Sequence, residues 1–353
     1  MWKKIKKFSI NFSLFVFVSL LLLVLAEMGA NVMVKAGKGQ RQQIYGKSDN
    51  LVIPSENKEL GFVFKPYYVS SDGDTITNAL GFHEYDWDPA VLDKSHVILN
   101  IGDSITFGAF IKSKDDVYGK VLQHALRQQF PDDDIVVYNA GIGGYNIWQE
   151  QTMLKLMQER MPVQMVLLGL CLNDASPMLY VDRNVKGAVV NVPGKLESVK
   201  DVFSRKFFNR SKLYVIFKEA FKSFQRKYPN LFPSRFLWYN AMVNGIGWKS
   251  LKATLADMHM ALEKEGIPLV VAIFPYAHQL HLEAKDNIVQ NDLLAFCRQE
   301  GIPCLDLYTA YKEGGDAVIW DEEGIHPDEA GHRVAGEAIS QFLIQKKLVP
   351  FTE

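Results

Sequence analysis

The chain has 353 residues, 48% of them hydrophobic and 22% charged, with a net charge of −1. That composition supports a sizeable buried core and lacks the basic excess of a nucleic-acid binder, so nucleic acid is not an expected partner. Three cysteines, Cys171, Cys297 and Cys304, show no paired C-x-x-C spacing, so no metal site and no cofactor are expected.

Four lysines (Lys3, Lys4, Lys6 and Lys7) precede an uncharged run from Phe8 to Ala26. As a helix that run would be about 28 Å long, close to the thickness of a bilayer core. We therefore expect residues 1–27 to form a single-pass transmembrane anchor. The lysines would stay in the cytoplasm and the rest of the chain outside it, periplasmic or extracellular. Val24-Leu25-Ala26 also suits a signal-peptide cleavage site, but the apolar run is long for a cleaved signal. Residues 28–90 are expected to be a linker and an N-terminal extension. The polar segment Lys35 to Gln43 fits the linker, and Val63-Phe64, Tyr67-Tyr68-Val69 and Gly81-Phe82-His83 read as short strands and turns packed on the main domain.

Residues 91–353 form the main domain in this reading. Apolar runs at 96–101, 134–138, 163–170, 267–274 and 302–307 read as buried strands. They alternate with helical patterns at 117–130, 146–160, 248–265, 287–300 and 328–346. Such alternation predicts an α/β fold with a parallel sheet covered on both faces. An insertion at 177–247 breaks it. Its first part, Asp182 to Leu196, reads as loop, and its second, Val202 to Tyr239, carries aromatic and basic residues at helical spacing, expected to be an amphipathic lid helix, with a membrane-surface contact as the alternative. Cys297 and Cys304 flank a short turn. They are expected as unpaired buried thiols, with pairing as the alternative in an oxidising compartment.

Four short stretches fall where strands end or the last helix begins, the edge at which open parallel sheets bind ligands. Gly102-Asp103-Ser104 follows the first strand, and Thr106 in place of a second glycine separates it from the G-x-S-x-G elbow. Asn139 to Gly144 follows the second, where glycines let backbone N–H groups approach a ligand. Asn173-Asp174 follows the third and supplies a side-chain amide able to face an oxyanion. Asp321-Glu322-Glu323-Gly324-Ile325-His326 precedes the last helix and offers a base with carboxylates beside it. Singly each is an ordinary turn or helix cap, with Pro327 at the start of the last helix. Jointly they supply nucleophile, donors and base in chain order. His278 and His281 read as rim residues and His332 as part of the last helix's packing.

With these four blocks the chain resembles the SGNH, or GDSL-type, hydrolase family. The resemblance covers roughly residues 96–176 and 248–346. It implies a flavodoxin-like three-layer α/β/α fold and ester hydrolysis with Ser104 as nucleophile and His326 as base. It also implies an oxyanion hole from the N–H groups of Ser104 and Gly144 and the amide of Asn173. Two positions depart from the family pattern. Cys171 stands where a glycine is usual, and Glu323 stands where Asp is usual, three residues before His326; Glu323 is taken as the third catalytic member, with Asp321 as second candidate. The anchor and the insertion resemble a membrane-anchored branch of bacterial envelope and exopolysaccharide proteins, which implies an acylated envelope or extracellular carbohydrate as substrate, within the wider class of small-molecule or carbohydrate esters. The expected activity is that of a serine esterase. An O-acyltransferase using the same site and a non-catalytic carbohydrate-binding or assembly subunit are the alternatives.

Overall fold

The computed structural model describes residues 51–69, 76–175, 180–181, 189–190, 242–321 and 324–349. All of them belong to one compact unit. The expected anchor, most of the insertion with its lid, and Glu323 lie outside the described residues. Among those described, no helix is long and apolar enough to cross a membrane.

Five strands build a parallel sheet: β3 (His96–Gly102), β4 (Ile135–Asn139), β5 (Met165–Leu170), β8 (Leu269–Ile273) and β9 (Cys304–Asp306). Their spatial order is β4-β3-β5-β8-β9. Counted in chain order this is 2-1-3-4-5, the flavodoxin-like arrangement, in which the order reverses beside the first strand. The three central strands read HVILNIG, MVLLGL and LVVAI, and nearly every residue is buried. Near-continuous apolar runs are what a sheet covered on both faces requires. β3 begins at His96 as expected, and the other four strands begin one or two residues later than the apolar runs suggest, after Asp134, Gln164, Pro268 and Pro303. Proline lacks the N–H that a ladder needs, which accounts for the last two.

A four-residue helix, α1 (Pro89–Leu92), precedes β3, and longer helices cover both faces of the sheet. On one, α3 (Tyr118–Gln129) packs on α8 (Glu329–Gln345), which also meets α7 (Tyr308–Gly314). On the other, α5 (Ile246–Lys264) packs on α4 (Ile147–Gln158) and α6 (Ile288–Glu300). Within the inserted stretch, two-residue strands β6 (Tyr180–Val181) and β7 (Val189–Val190) pair antiparallel, so the segment read as loop contains a strand. The last helix begins after Pro327 and not on it: Asp328 is its cap and accepts from Gly331 N–H at 3.0 Å.

Residues 51–69 form an antiparallel pair, β1 (Val52–Pro54) and β2 (Phe62–Phe64), that is built into the same core. The Phe64 ring meets Phe107 edge-on, and the Tyr145 hydroxyl donates to the Phe62 carbonyl at 2.6 Å. Gln149 donates to the Leu60 carbonyl while its side chain also closes a capping box with Asn146. A fully buried ion pair joins Lys120 to Glu84 at 2.8 Å, and the other Glu84 oxygen accepts from Asn139 N–H. The extension thus braces the loops that follow β3 and β4.

Cys297, on α6, and Cys304, on β9, are joined by a disulfide, which corrects the expectation of two free thiols. The turn of Gly301 brings their Cα atoms to 6.2 Å, inside the range a disulfide spans. Cys171 is free and buried.

Candidate active site

The short helix α2 (Ser104–Phe107) starts directly at the end of β3. Asp103 is its N-cap, and Oδ1 accepts from Ile105 N–H at 2.9 Å. The turn sits hard against the sheet, and two glycines permit it. A Cβ on Gly102 would lie 2.7 Å from the Gly169 carbonyl oxygen, and one on Gly141 would lie 2.4 Å from Phe107 N. Either would be a backbone clash that no rotamer change relieves.

Burial separates the functional positions from their neighbours. From Val97 to Ala109 only Ser104 is partly exposed. Gly144 alone is so within 135–147, and Asn173 alone within 165–174. All three lie past the carboxyl ends of adjacent strands, in the register Asn100–Asn139 and Gly102–Gly169. Gly144 adopts a left-handed φ of 87°, which its lack of a Cβ makes inexpensive.

Ser104 Oγ lies 2.8 Å from His326 Nε2, across 222 residues of chain. On the far side of the ring His326 Nδ1 lies 2.7 Å from Asp321 Oδ2. With Nδ1–H donating to the carboxylate, Nε2 is the acceptor for the serine hydroxyl. Burial pushes the Asp321 carboxyl up, but hydrogen bonds from the His326 ring and from the Ile325 and His326 N–H groups hold it below the usual carboxylate range.

Asp321 also organises the loop that carries the base. Its carbonyl accepts from Gly324 N–H, its N–H donates to the His326 carbonyl, and its Oδ1 accepts from Ile325 N–H at 2.8 Å. Trp320 and Pro327 bridge the base of this turn. An Asp that opens a turn closed by a left-handed glycine, here Gly324, is the signal that singles out Asp321 over Glu323. The structure therefore places the second of the two sequence candidates on the imidazole, while Glu323 lies outside the described residues.

Asn173 is held from both sides. Its Nδ2 donates to Asp103 Oδ2 at 2.6 Å, and its Oδ1 accepts from the Tyr276 hydroxyl at 3.2 Å. This orients the amide and leaves one N–H of Nδ2 uncommitted to these two partners. Tyr276, beyond the end of β8, has no sequence signal of its own. Cys171 does not prevent the loop from turning: Asp174 Oδ2 accepts from Cys171 N–H at 2.6 Å, and Leu172–Ala175 makes one tight turn. Burial pushes the Cys171 thiol up and keeps it protonated, so it is no rival nucleophile.

Beneath the site lie three buried carboxyls, Asp103, Glu150 and Asp174. Burial raises all three, and their mutual repulsion adds to this for Glu150 and Asp174. His332 is buried in α8, where its Nδ1 accepts from Tyr118 N–H, and burial brings it down to about 3. His278 and His281 lie on a short turn after β8. Among the described residues no group of three potential ligands could hold a metal ion.

The chain matches the model of the family described as GDSL-like lipase/acylhydrolase over residues 101–334. No curated protein sequence matches it significantly. Among solved structures it is similar to a putative lipolytic protein of the G-D-S-L family from Desulfitobacterium hafniense DCB-2. That likeness has 14% identity and a TM-score of 0.41, over 70% of this chain and 100% of that one. It is also similar to TesA, at 15% identity and a TM-score of 0.42, over 70% of this chain and 98% of that one. A third likeness is to Axe2, an acetylxylan esterase from Geobacillus stearothermophilus, at 15% identity and a TM-score of 0.39, over 74% and 97%. The family match spans more than half of the chain and includes the serine, the asparagine and the histidine of the site. The chain belongs to the GDSL-like lipase/acylhydrolase family and is an ester hydrolase of the SGNH type.

Proposed function

We propose that the protein is a serine esterase that forms an acyl-enzyme on an O-acylated carbohydrate of the cell envelope or the extracellular space. The observation that carries this reading is the relay Ser104–His326–Asp321, with contacts of 2.8 and 2.7 Å. His326 Nε2 takes the serine proton as Oγ attacks the ester carbonyl, and Asp321 stabilises the imidazolium that results. Negative charge collects on the former carbonyl oxygen, where the N–H groups of Ser104 and Gly144 and the Asn173 amide receive it. His326 returns the proton to the departing alcohol. Water, activated by the same histidine, then releases the acyl group.

The four lysines and the uncharged run at residues 8–26 support an N-terminal anchor with the domain outside the cytoplasm. The Cys297–Cys304 disulfide supports the same side, because disulfides persist in oxidising compartments.

A fluorophosphonate probe tests the chemistry. Wild-type protein should be labelled at Ser104 and should cleave short p-nitrophenyl esters. Ser104→Ala should lose both, with turnover down by about 10,000-fold or more. Full turnover in Ser104→Ala would defeat the reading. Protease added to intact spheroplasts should digest the domain if it lies outside, and full protection would refute that placement.

A further inference from the structure

The chain leaves α2 through Gly108, which is left-handed at φ 81°. Two residues later Phe110 is left-handed too, at φ 72°. Glycine accepts that conformation freely, whereas a bulky side chain is strained there. Phe110 is 44% exposed, although Ala109 and Ile111 on either side are buried. Its ring stands edge-on to the His326 imidazole, with centroids 5.2 Å apart at 70°. The chain therefore bears a strained backbone and an exposed apolar ring at one position, and that position touches the base.

We infer that Phe110 is the wall of the subsite for the alcohol half of the ester, and that it takes a sugar ring. This deepens the proposed esterase reading and rests on it. His326 Nε2 receives the proton of Ser104 and must hand it to the leaving alcohol oxygen, so the alcohol departs alongside the imidazole. An aromatic ring packed on that imidazole borders the path. A pyranose has a face of C–H groups and a rim of hydroxyls. A half-exposed aromatic covers the face and leaves the hydroxyls in water. The next residues, Lys112-Ser113-Lys114-Asp115-Asp116, are polar and at least partly exposed, which suits a hydroxylated alcohol better than an alkyl chain.

The test uses the full chain with two acetates that differ in the alcohol, ethyl acetate and xylose tetraacetate. Phe110→Asn removes the ring and tolerates a left-handed backbone; Phe110→Leu removes the aromatic face and keeps bulk; Phe110→Trp keeps the face. For both Phe110→Asn and Phe110→Leu, the ratio of kcat/KM on xylose tetraacetate to that on ethyl acetate should fall by about tenfold. That is the worth of roughly 50 Å² of apolar surface returned to water. The loss should lie in KM, and Phe110→Trp should keep the ratio within about twofold. The melting temperature of Phe110→Asn should not fall, because strain is relieved. A ratio unchanged in Phe110→Asn and Phe110→Leu, or an equal fall on both esters, would overturn the subsite. So would a wild type that cleaves ethyl acetate and spares the sugar ester. If the wild type cleaves neither ester and Ser104 takes no fluorophosphonate, the esterase reading fails and the subsite falls with it.

Discussion

The two halves of the catalytic set are held in different ways. The nucleophile side grows out of three adjacent strand ends, and its side chains lock one another. Asp103 caps α2 and accepts from Asn173, Asn173 accepts from Tyr276, and nearly everything around them is buried. The base side is one partly exposed loop held by local bonds, most of them to Asp321. The sheet positions Ser104 and would do so in a damaged loop. His326 depends on one carboxylate that both shapes its turn and sets its tautomer.

That contrast breaks first at Asp321. Asp321→Asn should lower kcat by about 1,000- to 10,000-fold, because a neutral amide favours the wrong imidazole tautomer. The neighbouring Glu323→Gln should be nearly silent in the same assay. The reverse pattern would restore Glu323 as the partner. The pH dependence of Asp321 has a definite sign. Its folded carboxyl lies below the ordinary value, so the stability it contributes is complete above about pH 4 and is lost only as pH falls through the depressed value. Acid unfolding of Asp321→Asn against wild type would show the two curves converging below that range.

On the nucleophile side, Asn173→Ala should cost about 100- to 1,000-fold in kcat with KM little changed, since the amide acts on the oxyanion and not on the bound ester. Tyr276→Phe sharpens the comparison. It removes one of the two bonds that orient the Asn173 amide and keeps the ring, so kcat should fall about three- to tenfold with unchanged KM. A loss as large as that of Asn173→Ala would mean that the Asp103 bond alone does not hold the amide.

The smallest effect concerns stability beneath the nucleophile. Glu150 is 1% exposed and neither carboxylate oxygen has a hydrogen-bond partner among the described residues. Its raised folded value means that stability is lost as pH rises from about 4.5 through that value. Glu150→Gln cannot ionise, so its melting temperature relative to wild type should climb as pH rises above about 4.5. A difference independent of pH would show that Glu150 pays no ionisation cost in the fold. Two buried histidines act in the opposite direction. His83 at about 4 and His332 at about 3 stay neutral in the fold, and each withdraws stability as pH falls from 6.5 towards its folded value.

Much of this molecule is legible without coordinates. Continuous apolar runs separated by helical patterns specify a covered parallel sheet, because strands buried on both faces leave no room for alternation. Glycine, serine, asparagine and histidine at the ends of those runs mark the functional edge, since chain order and strand ends are local properties. Side-chain choices that depend on distance across the fold are not legible in that way. The family pattern favours Glu323 on a line of text and only the Asp-to-Gly spacing at 321–324 speaks for Asp321; the folded turn that Asp321 closes on itself selects it. Cys297 and Cys304 pair because the turn at Gly301 brings helix and strand together, which spacing alone does not specify. Tyr276 and Phe110 carry no motif, and their roles come from what they touch, residues 103 and 216 positions away in the chain. Sequence determined the sheet and the order of the chemistry along it, through local periodicity and turn chemistry. Tertiary structure decided which rings face the site, because those contacts are made only when distant loops converge on one edge, and the folded turn at 321–326 decided which carboxylate meets the base.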